Sequence, residues 1–293
     1  MSYRGRFAPS PTGPLHLGSL VAALGSWLRA RKDNGTWLIR MEDLDPPREV
    51  PGAAADIVAT LKNFGMESDE PIVYQSTRGD VYRIAFERLQ AAGHVFPCWC
   101  SRADLERTRG IHRGVCIAPP DSHRAPAWRL RAPDVKVGFE DIVCGAQSQN
   151  LQDDVGDFVV KRVEGWFAYQ LAVVVDDADA RISEVVRGAD LLDSTPRQIY
   201  LQRLAGYPTP SYVHLPLVLD AAGHKLSKQD RARPVDGDDP VPALREAMRF
   251  LGLRQAGNAA SVRDLLREGT AEFDIAKIAK SIAPSPQCAM DTP

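Results

Sequence analysis

The chain has 293 residues, of which 44% are hydrophobic and 25% are charged, and its formal net charge is −2. This is a globular composition, sufficient for one large domain or two smaller ones, and the balanced charge excludes a global basic field for nucleic acid. No apolar run approaches the ~20 residues that span a bilayer, and residues 1–6 lead directly into a motif. We therefore expect a cytoplasmic protein without a signal peptide, and a monomer by default.

Strand and helix patterns alternate over the first hundred residues. Strands are expected at residues 4–8 and 36–41. One helical pattern follows the first strand and two follow the second, and these two end at Gly65 and Gly93. The apolar positions of the last of these helices are Val81, Ile84, Ala85 and Leu89. The order predicts an α/β fold with a parallel sheet and right-handed crossovers.

The composition changes after residue 97, where Cys, Pro, Arg and short β-like runs predict an insertion. Beyond it we expect a strand at 157–163, a helix or a buried strand at 168–175, a helix at 194–206 and a strand at 213–219. Short amphipathic helices are expected at 243–251, 262–267 and 275–282. The predicted division is a catalytic domain of residues 1–97 and 157–230, an inserted subdomain of 98–156 and a short helical C-terminal region of 231–293.

A Pro/Gly-rich segment, PSPTGPLHLG at residues 9–18, separates the first strand from the first helix. Prolines stiffen such a turn, glycines allow a ligand to approach the backbone, and a helix start presents free N–H groups to anions. Thr12 and His16 can then donate hydrogen bonds to phosphate oxygens. The alternative is a structural turn that contains a hydrogen-bonded histidine.

A second segment with phosphate chemistry, KLSKQ, begins at Lys225. Lys225, Ser227 and Lys228 can neutralise charge that develops on phosphates in a transition state. The alternative is a solvated basic loop. The chain contains no Gly-x-Gly-x-x-Gly and no Walker A lysine, which argues against dehydrogenase and P-loop classes.

Four side chains in the insertion have the chemistry of a metal site. Cys98, Cys100, His112 and Cys116 lie within nineteen residues and supply three thiols and an imidazole, which predicts one tetrahedral, structural Zn²⁺ site. The alternative is three free thiols in a reducing compartment. Cys144 and Cys288 are expected to be unpaired and receive no role.

These motifs resemble those of a known family. PSPTGPLHLG and KLSKQ resemble the HIGH and KMSKS motifs of the class I aminoacyl-tRNA synthetases, and RFAPSPTG, RMEDLD and RGAD resemble its glutamate-specific members. The resemblance implies a Rossmann-like catalytic domain and catalytic roles for His16, Gly18, Lys225 and Lys228. It implies ATP binding, accompanied by Mg²⁺, by Pro9, Thr12, Gly13, His16, Gly18, Ser19, Ser227 and Lys228. It implies glutamate binding by Arg6, Ala8, Ser10, Glu42, Tyr169 and Arg187.

The chain is short for that family, because only some sixty residues follow Lys228. It resembles the truncated branch, the glutamyl-Q tRNA(Asp) synthetases, and no anticodon-binding domain is expected. This resemblance implies that ATP activates L-glutamate without tRNA, and that glutamate is transferred to the queuosine base at the wobble position of tRNA(Asp). The alternatives are a short glutamyl-tRNA synthetase that charges the tRNA 3′ end and a non-catalytic tRNA-binding paralogue.

Overall fold

The computed structural model describes residues 2–121, 123–218, 234–254 and 261–281. The strands within these residues are β1 (Arg4–Phe7), β2 (Thr36–Met41), β3 (Val73–Tyr74), β4 (Val95–Cys98), β5 (Ala127–Leu130), β6 (Lys136–Asp141), β7 (Gly145–Asn150), β8 (Phe158–Lys161), β9 (Glu184–Gly188) and β10 (Ser211–Leu215). The helices are α1 (Leu17–Lys32), α2 (Ala53–Asn63), α3 (Gly79–Ala91), α4 (Tyr169–Asp179), α5 (Thr195–Ala205), α6 (Pro240–Phe250), α7 (Val262–Glu272) and α8 (Ile275–Ser281).

Parallel strand pairs form the centre of the fold, as the sequence predicts. β1, β2 and β3 pair in that order, and β9 pairs with β10 in parallel. β9 enters beside β1, where the carbonyl of Arg4 accepts the Ser183 N–H at 2.9 Å. The strand order therefore reverses between β1 and β9, and such a switch point opens a crevice at the carboxyl ends of the strands.

Helix α1 crosses this sheet and is the centre of the largest core. Its buried face includes Leu20, Leu24 and Leu28, and helices α6 and α7 pack against it. The indole of Trp37 on β2 donates a 3.0 Å hydrogen bond to Ser26, which satisfies two polar groups inside this core. Burial of the α1 face thus fixes the helix start, and the Pro/Gly segment before it, against the sheet.

The predicted insertion contributes to two sheets. β5 pairs antiparallel with β4 and β8, while the β6–β7 hairpin joins β10 through a parallel pair between Asp141 and Tyr212. The insertion therefore continues the sheet of β9 and β10 at one edge.

The structure decides or corrects three predictions from the sequence. Residues 168–175 form a helix, α4, and the strand predicted at 213–219 begins at Ser211 and ends at Leu215. The predicted apolar face of α3 is wrong in part, because Val81 and Ile84 are exposed. Tyr82 and Phe86 face the core instead, where Phe86 packs edge-on against Trp128. Among the described residues, no helix has both the length and the apolar character needed to cross a membrane.

Candidate active site

A cavity of about 320 Å³ opens where the carboxyl ends of β1, β2, β9 and β10 meet. Most of the predicted ATP and glutamate residues line it: Arg6, Ala8, Pro9, Ser10, Thr12, His16, Gly18, Ser19, Glu42, Tyr169 and Arg187. Gly13 lies in the same turn but is not part of the cavity wall, and its φ of 135° is one that glycine adopts readily. The structure thus brings together residues that are up to 181 positions apart.

The start of α1 forms one wall of the cavity. His16 is the N-cap residue, and its Nδ1 accepts the backbone N–H of Ser19 at 3.2 Å while its Nε2 lies 3.0 Å from the Ser19 hydroxyl. His16 is therefore hydrogen-bonded, as expected for a structural turn, and it also lines the cavity, as expected for a phosphate-binding residue. A helix N-terminus with a histidine and a serine at its first turn suits anionic oxygens.

A buried cluster of charges surrounds Arg6 and Glu42, which line the cavity. Arg6 on β1 contacts both carboxylate oxygens of Asp177, at 3.0 and 3.3 Å. Arg40 on β2 binds the same carboxylate at 2.6 Å and reaches Glu42 at 3.2 Å. Asp177 thus holds two arginines, and Arg40 in turn fixes the carboxylate of Glu42 at the cavity.

Burial and the two arginines of this cluster shift the pKa values of Glu42 and Asp177. Burial raises the pKa of Glu42 above its usual value, although Arg40 and Arg6 favour the carboxylate. Burial acts in the same direction on Asp177, but Arg40 and Arg6 together bring the pKa of that carboxyl below its usual value. Sequence reasoning missed Arg40 and Asp177. Arg40 is a charged residue inside an apolar run, which is a detectable signal, whereas Asp177 follows an apolar run and stands beside Asp176.

Arg187, at the end of the cavity next to β10, is held on several sides. Its Nη1 donates to the Tyr169 hydroxyl at 3.3 Å, and its Nη2 donates to the Thr195 hydroxyl at 2.9 Å and to the Leu191 carbonyl at 3.2 Å. Its Nε donates to His214 at 3.0 Å. Arg187 is 5% exposed, so its charge is presented to the cavity from a nearly dry position.

Both flanks of the lysine segment reach the cavity. Val218 lines it, and on the far side Val235 donates its N–H to the Leu15 carbonyl at 2.9 Å, next to a bridge between Pro234 and His16. Lys225, Ser227 and Lys228 themselves lie outside the described residues.

A second cluster lies in the insertion. One ligand atom from each of Cys98, Cys100, His112 and Cys116 can be chosen so that all four lie within 4.8 Å of one another. His112 is 1% exposed, its Nδ1 lies 2.7 Å from Asp157, and its Nε2 is buried without a hydrogen-bond partner among the described residues. A buried imidazole nitrogen beside three sulfurs fits a metal ligand, and the donor set suits zinc.

Backbone and side-chain donors surround the sulfurs of this cluster. The N–H groups of Ile117 and Ala118 donate to the Cys100 sulfur at 3.2 and 3.5 Å, and Arg129 donates to Cys98 at 3.3 Å. Burial raises the pKa of Cys100, but the N–H groups of Ala118 and Ile117 outweigh it and lower that pKa below its ordinary value. The surroundings of Cys100 therefore favour its thiolate, the form that binds metal, whereas burial and the neighbouring sulfurs raise the pKa of Cys116 to about 12. The expectation that Cys144 is unpaired is wrong, because Cys144 is disulfide-bonded.

Comparison with known proteins identifies the family. Residues 2–283 match the family described as tRNA synthetases class I (E and Q), catalytic domain. This chain belongs to the class I tRNA synthetases for glutamate and glutamine. It is 60% identical over 268 residues to the glutamyl-Q tRNA(Asp) synthetase of Burkholderia cenocepacia, which covers 87% of this chain and 90% of that relative. It is 52% identical over 275 residues to the glutamyl-Q tRNA(Asp) synthetase of Xanthomonas campestris pv. campestris, which covers 93% of this chain and 92% of that relative.

Solved structures give the same family at lower identity. The glutamate-tRNA synthetase of Elizabethkingia anophelis superposes with a TM-score of 0.78 and 27% identity, covering 98% of this chain and 69% of that one. The glutamate tRNA ligase of Elizabethkingia meningosepticum, solved in complex with its amino acid, has the same TM-score and identity and is covered to 68%. The Rossmann-like catalytic domain of class I synthetases, predicted from the motifs, is confirmed.

Proposed function

We propose that this protein activates L-glutamate with ATP in the absence of tRNA and transfers glutamate to the queuosine base at the wobble position of tRNA(Asp). The observation that carries the proposal is that one cavity at the strand ends is lined both by a helix start suited to anions and by side chains matched to glutamate. The 52–60% identical relatives, which are named glutamyl-Q tRNA(Asp) synthetases, support the choice of acceptor.

The charges of the cavity match those of glutamate, which carries two carboxylates and one ammonium group. Arg6 and Arg187 are suited to the carboxylates, and Glu42 is suited to the ammonium group. Arg6 presents its Nε and Nη2 to Asp177, so its remaining Nη1 is the donor that we assign to the substrate. Tyr169 supplies a hydroxyl and a wall, and Ala8 and Ser10 complete the surface on the β1 side.

The helix start is suited to ATP. We assign Pro9, Thr12, Gly13, His16, Gly18 and Ser19 to the nucleotide and its phosphates, with Mg²⁺ as the companion ion. Lys225, Ser227 and Lys228 are assigned to the β and γ phosphates. Support for that assignment comes from Val218 and Pro234, since both ends of the segment are anchored at the cavity.

In the activation step the glutamate α-carboxylate attacks the α-phosphorus, a new C–O–P linkage forms, and the bond to the leaving pyrophosphate breaks. This step needs no covalent intermediate on the protein, because the site acts by positioning and by stabilising charge. His16 and Gly18 hold the phosphates at the helix start, and the lysine segment neutralises the charge that develops on the leaving group. A hydroxyl of the queuosine cyclopentenediol then attacks the activated carbonyl, the bond between that carbonyl carbon and the phosphate oxygen breaks, AMP leaves, and the hydroxyl proton is released.

We further propose that Cys98, Cys100, His112 and Cys116 hold one structural zinc ion within residues 98–156, and that this subdomain faces the acceptor tRNA. The unpartnered Nε2 of His112 supports zinc at this position. A closed set of four protein ligands leaves no position for substrate, so the ion would supply rigidity to the insertion. The domain division at residues 97, 156 and 230 belongs to the same proposal.

Glutamate-dependent exchange between ATP and pyrophosphate tests the activation step directly. We expect exchange without tRNA, which requires glutamate and is lost in Arg187→Ala. A matched control is Arg197→Ala on α5, which is outside the cavity wall and should exchange normally. A wild-type protein that exchanges only when tRNA is present would contradict tRNA-independent activation, and no exchange at all would favour a non-catalytic paralogue.

A further inference from the structure

Three polar side chains on adjacent strands form a hydrogen-bonded row that ends at Arg187. Asp141 on β6, His214 on β10 and Arg187 on β9 lie on adjacent strands, and His214 and Arg187 are direct register partners. Nδ1 of His214 lies 2.6 Å from Oδ2 of Asp141, and Nε2 of His214 lies 3.0 Å from Nε of Arg187. The row runs from the predicted insertion to the cavity wall.

The hydrogen bonds allow one protonation state of His214. Arg187 is always a donor, so the Nε2 that faces it has to be an acceptor and cannot carry a proton. The proton of the neutral ring is therefore on Nδ1, where it is donated to the carboxylate of Asp141. The Thr195 hydroxyl lies 3.2 Å from the same Nε2 and accepts from Nη2 of Arg187, so its own proton can be donated to the unprotonated Nε2 that Arg187 requires.

Asp141 is itself fixed by the insertion. Its Oδ1 accepts the N–H groups of Val143 and Cys144 in the β6–β7 turn, at 3.0 and 2.8 Å, and its carboxylate also accepts the N–H of His214. One carboxylate thus closes the hairpin turn and orients the imidazole. Since Asp141 and His214 are both fully buried, neither can exchange these partners for water.

We propose that His214 is a positioning residue for glutamate recognition, held by Asp141 as the neutral Nδ1–H tautomer so that its Nε2 sets the orientation of Arg187. Arg187 then has its Nε and Nη2 edge committed to His214, Thr195 and Leu191, which directs Nη1 toward the cavity and Tyr169. Among the described residues, Tyr169 is the hydrogen-bond partner of Nη1, at a long 3.3 Å, so Nη1 retains capacity for a carboxylate. The proposal rests on the proposed function and names a residue that acts on substrate through another.

The surroundings of His214 maintain the neutral ring. Burial is the largest influence and lowers the pKa of His214, Arg187 on β9 acts in the same direction, and Asp141 on β6 and Asp190 after β9 oppose them. The ring of Tyr212 on β10 stacks at 6.1 Å and Phe139 on β6 lies at 6.4 Å, and burial raises the pKa of Tyr212 to about 12. Protonation of His214 at acid pH would replace the acceptor by a donor facing the guanidinium, and glutamate binding would weaken.

Two variants test the proposal through the kinetics of exchange. His214→Leu removes the acceptor, and since hydrogen bonds to charged groups are among the stronger ones, we expect the glutamate KM to rise about tenfold or more, with the ATP KM unchanged. His214→Gln offers an amide oxygen to Arg187 and should restore most of the loss. In the wild type the glutamate KM should rise below about pH 6, the acid side of the ordinary histidine pKa. The glutamine variant should keep only the smaller part of this rise that comes from protonation of Glu42, whose pKa is also above its usual value.

The matched control is His94→Gln, at a half-buried histidine outside the cavity wall, which should keep the wild-type KM and pH profile. If His214→Leu fails to fold, the pH profile of His214→Gln still decides. A leucine variant with the wild-type glutamate KM, or a glutamine variant that keeps the wild-type pH profile, would overturn the proposal.

One readout does not depend on catalysis. The ¹⁵N NMR signals of the His214 ring, assigned by their loss in His214→Gln, should show a neutral ring with the proton on Nδ1 at neutral pH. A proton on Nε2 would overturn the inference whether or not the protein exchanges pyrophosphate. Absence of wild-type exchange with the expected tautomer would instead count against the proposed function.

Discussion

Asp157 holds the imidazole of His112 through a 2.7 Å contact between Oδ2 and Nδ1, which leaves Nε2 as the nitrogen that faces the cysteine cluster. Asp157 also accepts the N–H groups of Gly114 and Ala132, each at 2.8 Å. One buried carboxylate therefore orients the imidazole and joins the loop that carries His112 to the segment that follows β5. Such outer partners fix the tautomer of a metal ligand and make it more basic.

We expect Asp157→Asn to weaken zinc binding by about tenfold or more, because outer partners of ligating histidines contribute on this order. Competition with a chromophoric chelator would measure the change in affinity. Asp153→Asn, at an exposed residue that pairs with Arg113, is the control and should bind zinc as the wild type does. Equal affinities for the Asp157 and Asp153 variants would remove Asp157 from the metal site.

Gly156 packs directly against the backbone of His112. Its φ of 69° and ψ of −176° form a combination that is essentially restricted to glycine, and a Cβ there would lie 2.4 Å from Ile111 and 2.5 Å from the His112 carbonyl. We expect Gly156→Ala to lower both the melting temperature and the zinc content. The control is Gly206→Ala, also at φ 69°, where nothing lies within 4 Å of the added carbon, and only the melting temperature should change. Full zinc content in the Gly156 variant would show that the loop can shift without disturbing His112.

The pairing of Asp177 with Arg6 and Arg40 predicts a large stability effect at Asp177. Asp177→Asn would leave Arg6 and Arg40 short of a buried counter-charge, which typically destabilises a protein by about 3–5 kcal/mol. Denaturant unfolding would measure this loss. Asp179→Asn removes an exposed partner of Arg78 and should cost less than about 1 kcal/mol. Similar values for the two variants would mean that this buried cluster tolerates an uncompensated charge.

Acid should reveal the same carboxylate. The pKa of Asp177 is below its usual value in the folded protein, so below about pH 4 the unfolded chain binds the extra proton first and stability decreases. Above that pH the contribution of Asp177 is complete and constant. Unfolding free energies measured across this range should fall less steeply with acid in Asp177→Asn than in the wild type, and parallel curves would assign the acid sensitivity to other groups.

We expect substitution of His16 to impair catalysis rather than glutamate binding. Removal of a donor that acts on charge in the transition state typically lowers kcat by about 10²–10³, so we expect a loss of this order for exchange in His16→Ala with the glutamate KM unchanged. Loss of the helix cap should cost about 1 kcal/mol of stability. His123→Ala, at an exposed histidine, is the control. Exchange by His16→Ala at the wild-type rate would reduce His16 to a structural cap.

The helix-start part of the cavity wall is predicted from a local motif, whereas Glu42, Tyr169 and Arg187 are predicted from the family resemblance. Residues 6–19 are one continuous segment. The hydrophobic periodicity of β1 and α1 is enough to locate the strand-to-helix turn between them. The supporting charges are different: Asp177 lies 171 positions from Arg6, and Asp141 lies 73 positions from His214. Such pairs form only because particular strands and helices become neighbours in the fold. A single sequence does not state the spatial order of its strands and helices.

Helices α3 and α4 show the same limit. Period alone does not separate a helix from a buried strand at residues 168–175, and α4 is distinguished by where it places Asp176 and Asp177, against Arg78 and Arg40. On α3 the aliphatic stripe is the more hydrophobic choice, but Tyr82 turns inward because its hydroxyl binds the buried Asp176 at 2.8 Å. Buried polar partners therefore decide which face of a helix packs inward.

The most direct test of the central claim is transfer of labelled glutamate to tRNA(Asp) with queuosine, to tRNA(Asp) without queuosine, and to queuosine-containing tRNA(Asp) that lacks its 3′-terminal adenosine. We predict labelling of the first and third and at least tenfold less labelling of the second, which corresponds to ~1.4 kcal/mol or more in barrier. Labelling that needs the 3′ adenosine but not queuosine would contradict the account and make the protein a short synthetase that charges the tRNA 3′ end.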